Sequence, residues 1–203
     1  MRMMKTPRRS FLSALAGLIF SSKAQGQSRL QDIAVIDDLS REPPTATIGT
    51  KWQLFTDKVM GGVSKATMVR ETVSGRSAIR LRGDVSLANN GGFVQIALDL
   101  HSNGEAIDAG SWNGIEIDVF GNDEEYALNL RTTDLTRPWQ SYRQIFSAPK
   151  KWITVRLPFD KFLNSRTDIP INLHRLRRIG VIAIGRAFSP DISIAGIRFY
   201  REQ

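Results

Sequence analysis

From Trp52 onward, apolar residues recur at every second position in short runs. In Ala78-Ile79-Arg80-Leu81-Arg82 the apolar side chains alternate with arginines. In the segment 114–119, Ile115, Ile117 and Val119 point one way, and Glu116 and Asp118 the other. The segments 152–157 and 191–199 repeat the pattern. A period of two is the signature of half-buried strands. Further strands are predicted at 64–70, 93–100, 125–132, 140–147 and 177–185. Turn-forming residues fill the gaps: Ser74-Gly75, Asn89-Asn90-Gly91-Gly92, Gly121-Asn122-Asp123 and Pro149. After residue 50 no amphipathic stretch exceeds about two helical turns, although 160–163 suits one short turn. One polar and one apolar face per strand is what two antiparallel sheets packed face to face require. The fold class expected is therefore all-β, a sandwich of roughly eight to ten strands.

A chain of 203 residues suits one domain of ordinary size. Cysteine is absent, which excludes disulfides, thiolate zinc sites, iron–sulfur clusters and a cysteine nucleophile. Only His101 and His174 are available as imidazoles, so multi-histidine metal sites are excluded too. The 28 basic and 20 acidic residues give a formal charge of +8. Five of those bases, and no acid, lie in residues 1–24. Without that segment 23 bases face 20 acids, so the electrostatic case for a nucleic-acid partner largely disappears.

The segment 1–24 has the layout of a signal peptide. Lys5, Arg8 and Arg9 are followed by an apolar run from Phe11 to Phe20, with Ser22 and Ala24 at the −3 and −1 positions of a cleavage site. The run is too short for the roughly 20 residues of a spanning helix. Arg8-Arg9-Ser10-Phe11-Leu12 resembles a twin-arginine export signal, with Ser13 where lysine is common. The expected location is therefore periplasmic or otherwise exported. Residues 25–44 read as a linker and lead-in that ends at the break Pro43-Pro44, with the apolar patch 33–36 a candidate first strand. The sandwich domain is expected over 45–203.

Two constellations stand out. In the first, Asp57 precedes Met60-Gly61-Gly62-Val63-Ser64. The glycine pair permits backbone angles that other residues resist, and Asp57 can accept hydrogen bonds from turn amides. This is either a ligand or partner loop, or a turn held by Asp57 and Ser64 as internal tethers. The spacing fits neither a Walker A loop nor GxGxxG. The second constellation is Arg131, Arg137, Trp139, Tyr142, Arg143 and Gln144. Arginine forks beside aromatic planes suit carboxylate, phosphate or sugar recognition. The competing reading is a solvated charged strand face with Trp139 pinning a loop. The acids Asp118, Asp123, Glu124 and Glu125 form no Asp-x-Asp-x-Asp-Gly loop, so a solvated turn is preferred to a calcium site. Glu116 and Asp118 share a strand face, as alternation alone produces.

The ordered set of segments resembles one known family. Phe55-Thr56-Asp57-Lys58-Val59-Met60-Gly61-Gly62-Val63-Ser64 looks like the opening signature of the complex I intermediate-associated protein 30 family. Segments 81–95, 114–122, 126–131, 137–143, 152–162 and 179–185 follow in the family's order, so the resemblance covers about residues 45–202. It implies a galactose-binding-domain-like jelly roll. It also implies a chaperone-like assembly factor for respiratory NADH:ubiquinone oxidoreductase, with no catalytic residues and no cofactor. The expected protein is a non-enzymatic binder of a protein partner, such as a subunit of a membrane respiratory complex. A carbohydrate-binding module is the alternative; no nucleic-acid partner is expected. The expected binding surface comprises Asp57, Met60, Gly61, Gly62 and Ser64; Asn90, Gly91, Gly92 and Phe93; and Arg131, Trp139, Tyr142 and Arg143.

Overall fold

The computed structural model describes Met1 and residues 33–202. The leader expected over 1–24 and the first part of the lead-in lie outside the described residues. Twelve strands are found among the described residues: β1 (Ile33–Asp37), β2 (Gln53–Thr56), β3 (Lys65–Val73), β4 (Arg76–Asp84), β5 (Phe93–Asp99), β6 (Gly114–Phe120), β7 (Glu124–Thr132), β8 (Ser141–Ala148), β9 (Ile153–Pro158), β10 (Leu163–Ser165), β11 (Leu176–Ile184) and β12 (Asp191–Tyr200). Among the described residues the remaining regular structure is four short 3-10 turns.

The strands form two six-stranded antiparallel sheets. The first runs β3-β4-β12-β6-β9, with β1 also paired to β12. Residues 191–194 of β12 pair with β4 and residues 197–200 pair with β1, with a register shift between Ile194 and Gly196 on the β6 side. The second runs β10-β8-β7-β11-β5-β2. The alternation seen in the sequence is the alternation of faces. Ile79, Leu81, Ile115, Ile117, Ile192 and Ile194 of the first sheet meet Ile96, Leu98, Leu128, Leu130, Ile179 and Val181 of the second in one core. Burying each such side chain contributes about 1.5–3 kcal/mol against chain entropy, so the sandwich rests on the sum.

The lead-in joins this sandwich. Ile36 is buried in the core, and the Asp37 carboxylate accepts hydrogen bonds from Trp52 Nε1 at 2.7 Å and from the amides of Leu39 and Thr47 at 3.0 Å. Part of the lead-in ahead of residue 45 thus belongs to the sandwich, through the pairing of β1 with β12 and the buried Ile36 and Asp37 side chains. No helix among the described residues is long and apolar enough to cross a membrane.

Candidate functional site

The Asp57 segment is built around a carboxylate with no exposure to solvent. Asp57 begins a 3-10 turn, Asp57–Met60, which Gly61 ends at φ 87°. Its Oδ1 accepts the Ser64 amide at 2.9 Å; its Oδ2 accepts the Gly92 amide at 2.6 Å, the Ser64 hydroxyl, and the Phe93 amide at 3.4 Å. Burial raises the carboxyl pKa, but these hydrogen bonds, led by Ser64 Oγ and the Gly92 amide, outweigh it and hold the group below its ordinary value. Two glycines make room. A Cβ on Gly62 would stand 2.3 Å from Asp57 Cγ, and one on Gly91 would stand 2.4 Å from Asp57 Oδ2. The turn of 57–64 and the turn of 88–92, far apart in sequence, are thus joined by one acid.

Asp57, Ser64 and Gly92 are buried and serve as tethers between the two turns. What the tether displays is apolar. Val59 is 73% exposed, and Met60, Val63 and Leu87 are exposed beside it. Leu87 Cδ2 lies 3.0 Å from where a Cβ on Gly92 would be, which places it at the same rim. Asn90, at φ 57°, is exposed there as well. The sequence reading named Met60 but missed Val59, Val63 and Leu87. Apolar residues in a turn are a signal that was available, and the approach of the second turn, which brings in Leu87, was not.

The second constellation is divided by the sheet. Arg131 and Arg143 both stand on the outward face of the second sheet. Asn129 is the cross-strand partner of Arg143, which leaves Arg131 diagonal to it. Tyr142 does not join them. It is fully buried in the core and donates from its hydroxyl to the Pro170 carbonyl at 3.1 Å. Adjacent residues of one strand face opposite ways, so Tyr142 and Arg143 cannot share a surface. Gln144 likewise faces inward. Trp139 is half exposed on the loop, with the Arg137 guanidinium 6.0 Å from its ring centre. Arg131 donates to the carbonyls of Leu135, Arg137 and Pro138 and so pins that loop.

The acids separate in the same way. Asp118 is bound by Arg76, Arg198 and Thr154, and Glu116 by Arg156 and Arg198, on the outward face of the first sheet. Burial raises the Asp118 pKa, but bonds from Arg198, Thr154 and Arg76 hold it below the ordinary range. Both carboxylates are thus held in ion pairs with arginines across the strands of the sheet. Asp123 pairs with Lys150 and Glu124 with Arg186. Among the described residues no three metal-ligating side chains gather. A cleft of about 740 Å³ opens beside β10, lined by Gln140, Asn164, Arg166, Thr167, Asp168 and Ile169. A second, of about 530 Å³, lies over 169–174 beside Gly110 and Asp134.

A family model described as complex I intermediate-associated protein 30 matches residues 44–191. No curated protein matches the chain by sequence. Solved structures with a similar fold include a family 11 carbohydrate-binding module from Clostridium thermocellum in complex with a β-1,3-1,4-mixed-linked tetrasaccharide. It is 12% identical, with a TM-score of 0.65, and the match covers 84% of this chain and 96% of that one. The family 11 module of the cellulase Lic26A-Cel5E from the same organism has a TM-score of 0.66 at 12% identity, with 84% and 95% covered. A family 30 carbohydrate-binding module has a TM-score of 0.57 at 14% identity, with 84% and 89% covered. At such identities the likeness shows a shared jelly-roll sandwich.

Proposed function

We propose a function from one premise: the chain belongs to the complex I intermediate-associated protein 30 family. In this reading it is a non-enzymatic binding protein that holds a protein partner, in the manner of an assembly factor or chaperone for intermediates of complex I. The observation that carries the reading is the rim around Asp57. A buried carboxylate joins two glycine-bearing turns, and Val59, Met60 and Val63 on the one and Leu87 at the start of the other are exposed to solvent. Exposed apolar side chains on turns tied together from beneath are what protein partners cover. We further read the N-terminal segment as a twin-arginine-type export signal, which places the protein in the periplasm or otherwise outside the cytoplasm. Its partners there are the membrane-embedded or outward-facing parts of the complex.

The test is co-purification from the host envelope, comparing the protein with a Val59→Ser/Met60→Ser/Leu87→Ser variant. All three positions are exposed, so the variant should unfold at the same temperature. Complex I subunits should be recovered with the protein and at least tenfold less with the variant. Equal recovery, or recovery of no complex I subunit, would refute the reading.

A second reading is favoured by a separate observation. The outward face of the second sheet carries a row of amides, Gln53, Gln95 and Asn129, over the small buried residues Ala97, Ala127 and Gly180. A face of this kind suits hydroxyl-rich chains, and this reading makes the protein a carbohydrate-binding module. Retention on glycan-containing gels tests it.

A further inference from the structure

The two sheets treat the charges on their outward faces differently. On the first sheet arginines are answered in place. Arg80 meets Asp191 and Glu71, and Arg198 meets Glu116 and Asp118. On the second, Arg178 is answered by Asp99 through bonds of 2.6 and 2.9 Å. Arg143 has no such answer. Its Nε donates to Asn129 Oδ1 at 2.9 Å, and among the described residues no carboxylate reaches its guanidinium. Partial burial opposes its charge, and the nearby Arg166 opposes it further. Glu125 lies on the same face but two cross-strand pairs away, beyond Ala127–Ile145.

The aim of Arg143 is set by a relay that crosses β11. Gln95 on β5 and Asn129 on β7 flank β11; Gly180 is the register partner of Asn129, and Gln95, opposite Ile182, reaches diagonally over it. A Cβ at 180 would stand 2.7 Å from Gln95 Nε2. The bare backbone lets the amides meet, with Asn129 Nδ2 donating to Gln95 Oε1 at 3.4 Å. Asn129 then takes the Arg143 Nε–H, which leaves both terminal nitrogens of the guanidinium without a protein partner among the described residues. A guanidinium held by Nε presents a planar fork of donors matched to a carboxylate. The aromatic ring on this face, Phe55 opposite Gln95, already has the Arg178 guanidinium 5.4 Å from its centre, while Tyr142 faces the core and Trp139 sits in the loop. Charge must then supply much of the affinity of this face.

We infer that the outward face of the second sheet binds an acidic glycan, a chain of uronate sugars whose carboxylate is held by the Arg143 fork while its hydroxyls meet the amides of Gln95 and Asn129. The inference rests on the carbohydrate reading. It favours a sugar over an acidic peptide because the amides beside Arg143 both donate and accept, as hydroxyls require. Arg166, at the neighbouring cleft, adds charge along the path.

The test is affinity electrophoresis of the full chain in gels containing polygalacturonate, neutral β-1,3-1,4-glucan or poly-glutamate. Polygalacturonate should retard the protein, and Arg143→Gln should weaken retardation at least tenfold. Lys151→Gln, an equal charge change at an exposed site in the connection between β8 and β9, should change it less than twofold. Arg143→Lys should fail to restore binding, since it keeps the charge and loses the fork. Should Arg143→Gln unfold, the exposed Arg166→Gln serves in its place and should weaken retardation severalfold. Neutral glucan bound without polygalacturonate would overturn the inference and leave the carbohydrate reading standing. Retardation by no glycan would overturn both. Equal retardation by poly-glutamate would replace the glycan with an acidic peptide, and full binding by Arg143→Lys would remove the fork.

Discussion

Replacing Asp57 with asparagine tests the rim most directly. The substitution keeps the volume of the side chain and removes its charge. If the oxygen of the new side-chain amide keeps the Ser64 N–H, its NH2 group faces the Gly92 N–H and the Ser64 hydroxyl, which now meet a donor. At most the hydroxyl can rotate to accept. A hydrogen bond to a charged acceptor is worth about 1.5–3 kcal/mol, and a buried donor left unmade costs about 1–3 kcal/mol. Relief of the buried charge offsets part of this, so the expected loss is about 3 kcal/mol. For a domain of this size that lowers Tm by roughly 10 °C. The pH dependence has a definite sign. The folded pKa of Asp57 is depressed, so its contribution is present above the unfolded value of about 3.9 and is lost as pH falls through the folded value. The gap in stability between the two proteins should be flat from about pH 8 to 5 and should narrow below about pH 4. Urea unfolding followed by circular dichroism at several pH values reads both quantities. A loss under about 1 kcal/mol, or a gap that persists undiminished at the acid end, would refute the account of Asp57 as a charged tether.

Three further outcomes follow from contacts already described. Gly62→Ala should cost about 2 kcal/mol or more by crowding Asp57, and much less in an Asp57→Gly background, a coupling that a double-mutant cycle of unfolding free energies measures. Arg198→Ala should destabilise by about 2–3 kcal/mol, below the usual cost of breaking a buried ion pair because Arg156 and Arg76 still face Glu116 and Asp118; thermal unfolding checks it. Arg131→Gln should free the 133–140 loop from three carbonyl tethers, raising amide exchange there at least tenfold while leaving the core strands protected.

The strands that could be read in the sequence are those long enough to alternate. The segments 78–82, 114–119 and 191–199 fall inside β4, β6 and β12. β10, with three residues, is too short to show a period, and its place at the sheet edge comes from pairing with β8. The candidate sites were legible in part. Asp57 and Ser64 carried the alternative of an internal tether, and that is where the structure puts them. Their third partner, Gly92, lies 35 residues away from Asp57, and no local pattern could announce it. The pairing of Tyr142 with Arg143 in one site ran against the alternation that had revealed their strand. Applying that rule to the site as well as to the fold would have sent Tyr142 to the core.

The rim and the sheet face are not independent parts. Asp57 holds the amides of Gly92 and Phe93, which open β5, and Gln95 stands two residues further along the same strand. The relay from Gln95 through Asn129 to Arg143 therefore starts from a strand whose entry is set by the same carboxylate that displays Val59 and Met60. A shift of β5 by one residue would turn Gln95 inward and bring Ile96 out, removing the relay entirely. Loosening Asp57 should then weaken partner capture and glycan retardation together, whereas Val59→Ser and Arg143→Gln should each affect one alone. That asymmetry, if measured, would identify Asp57 as the positioning group for both surfaces.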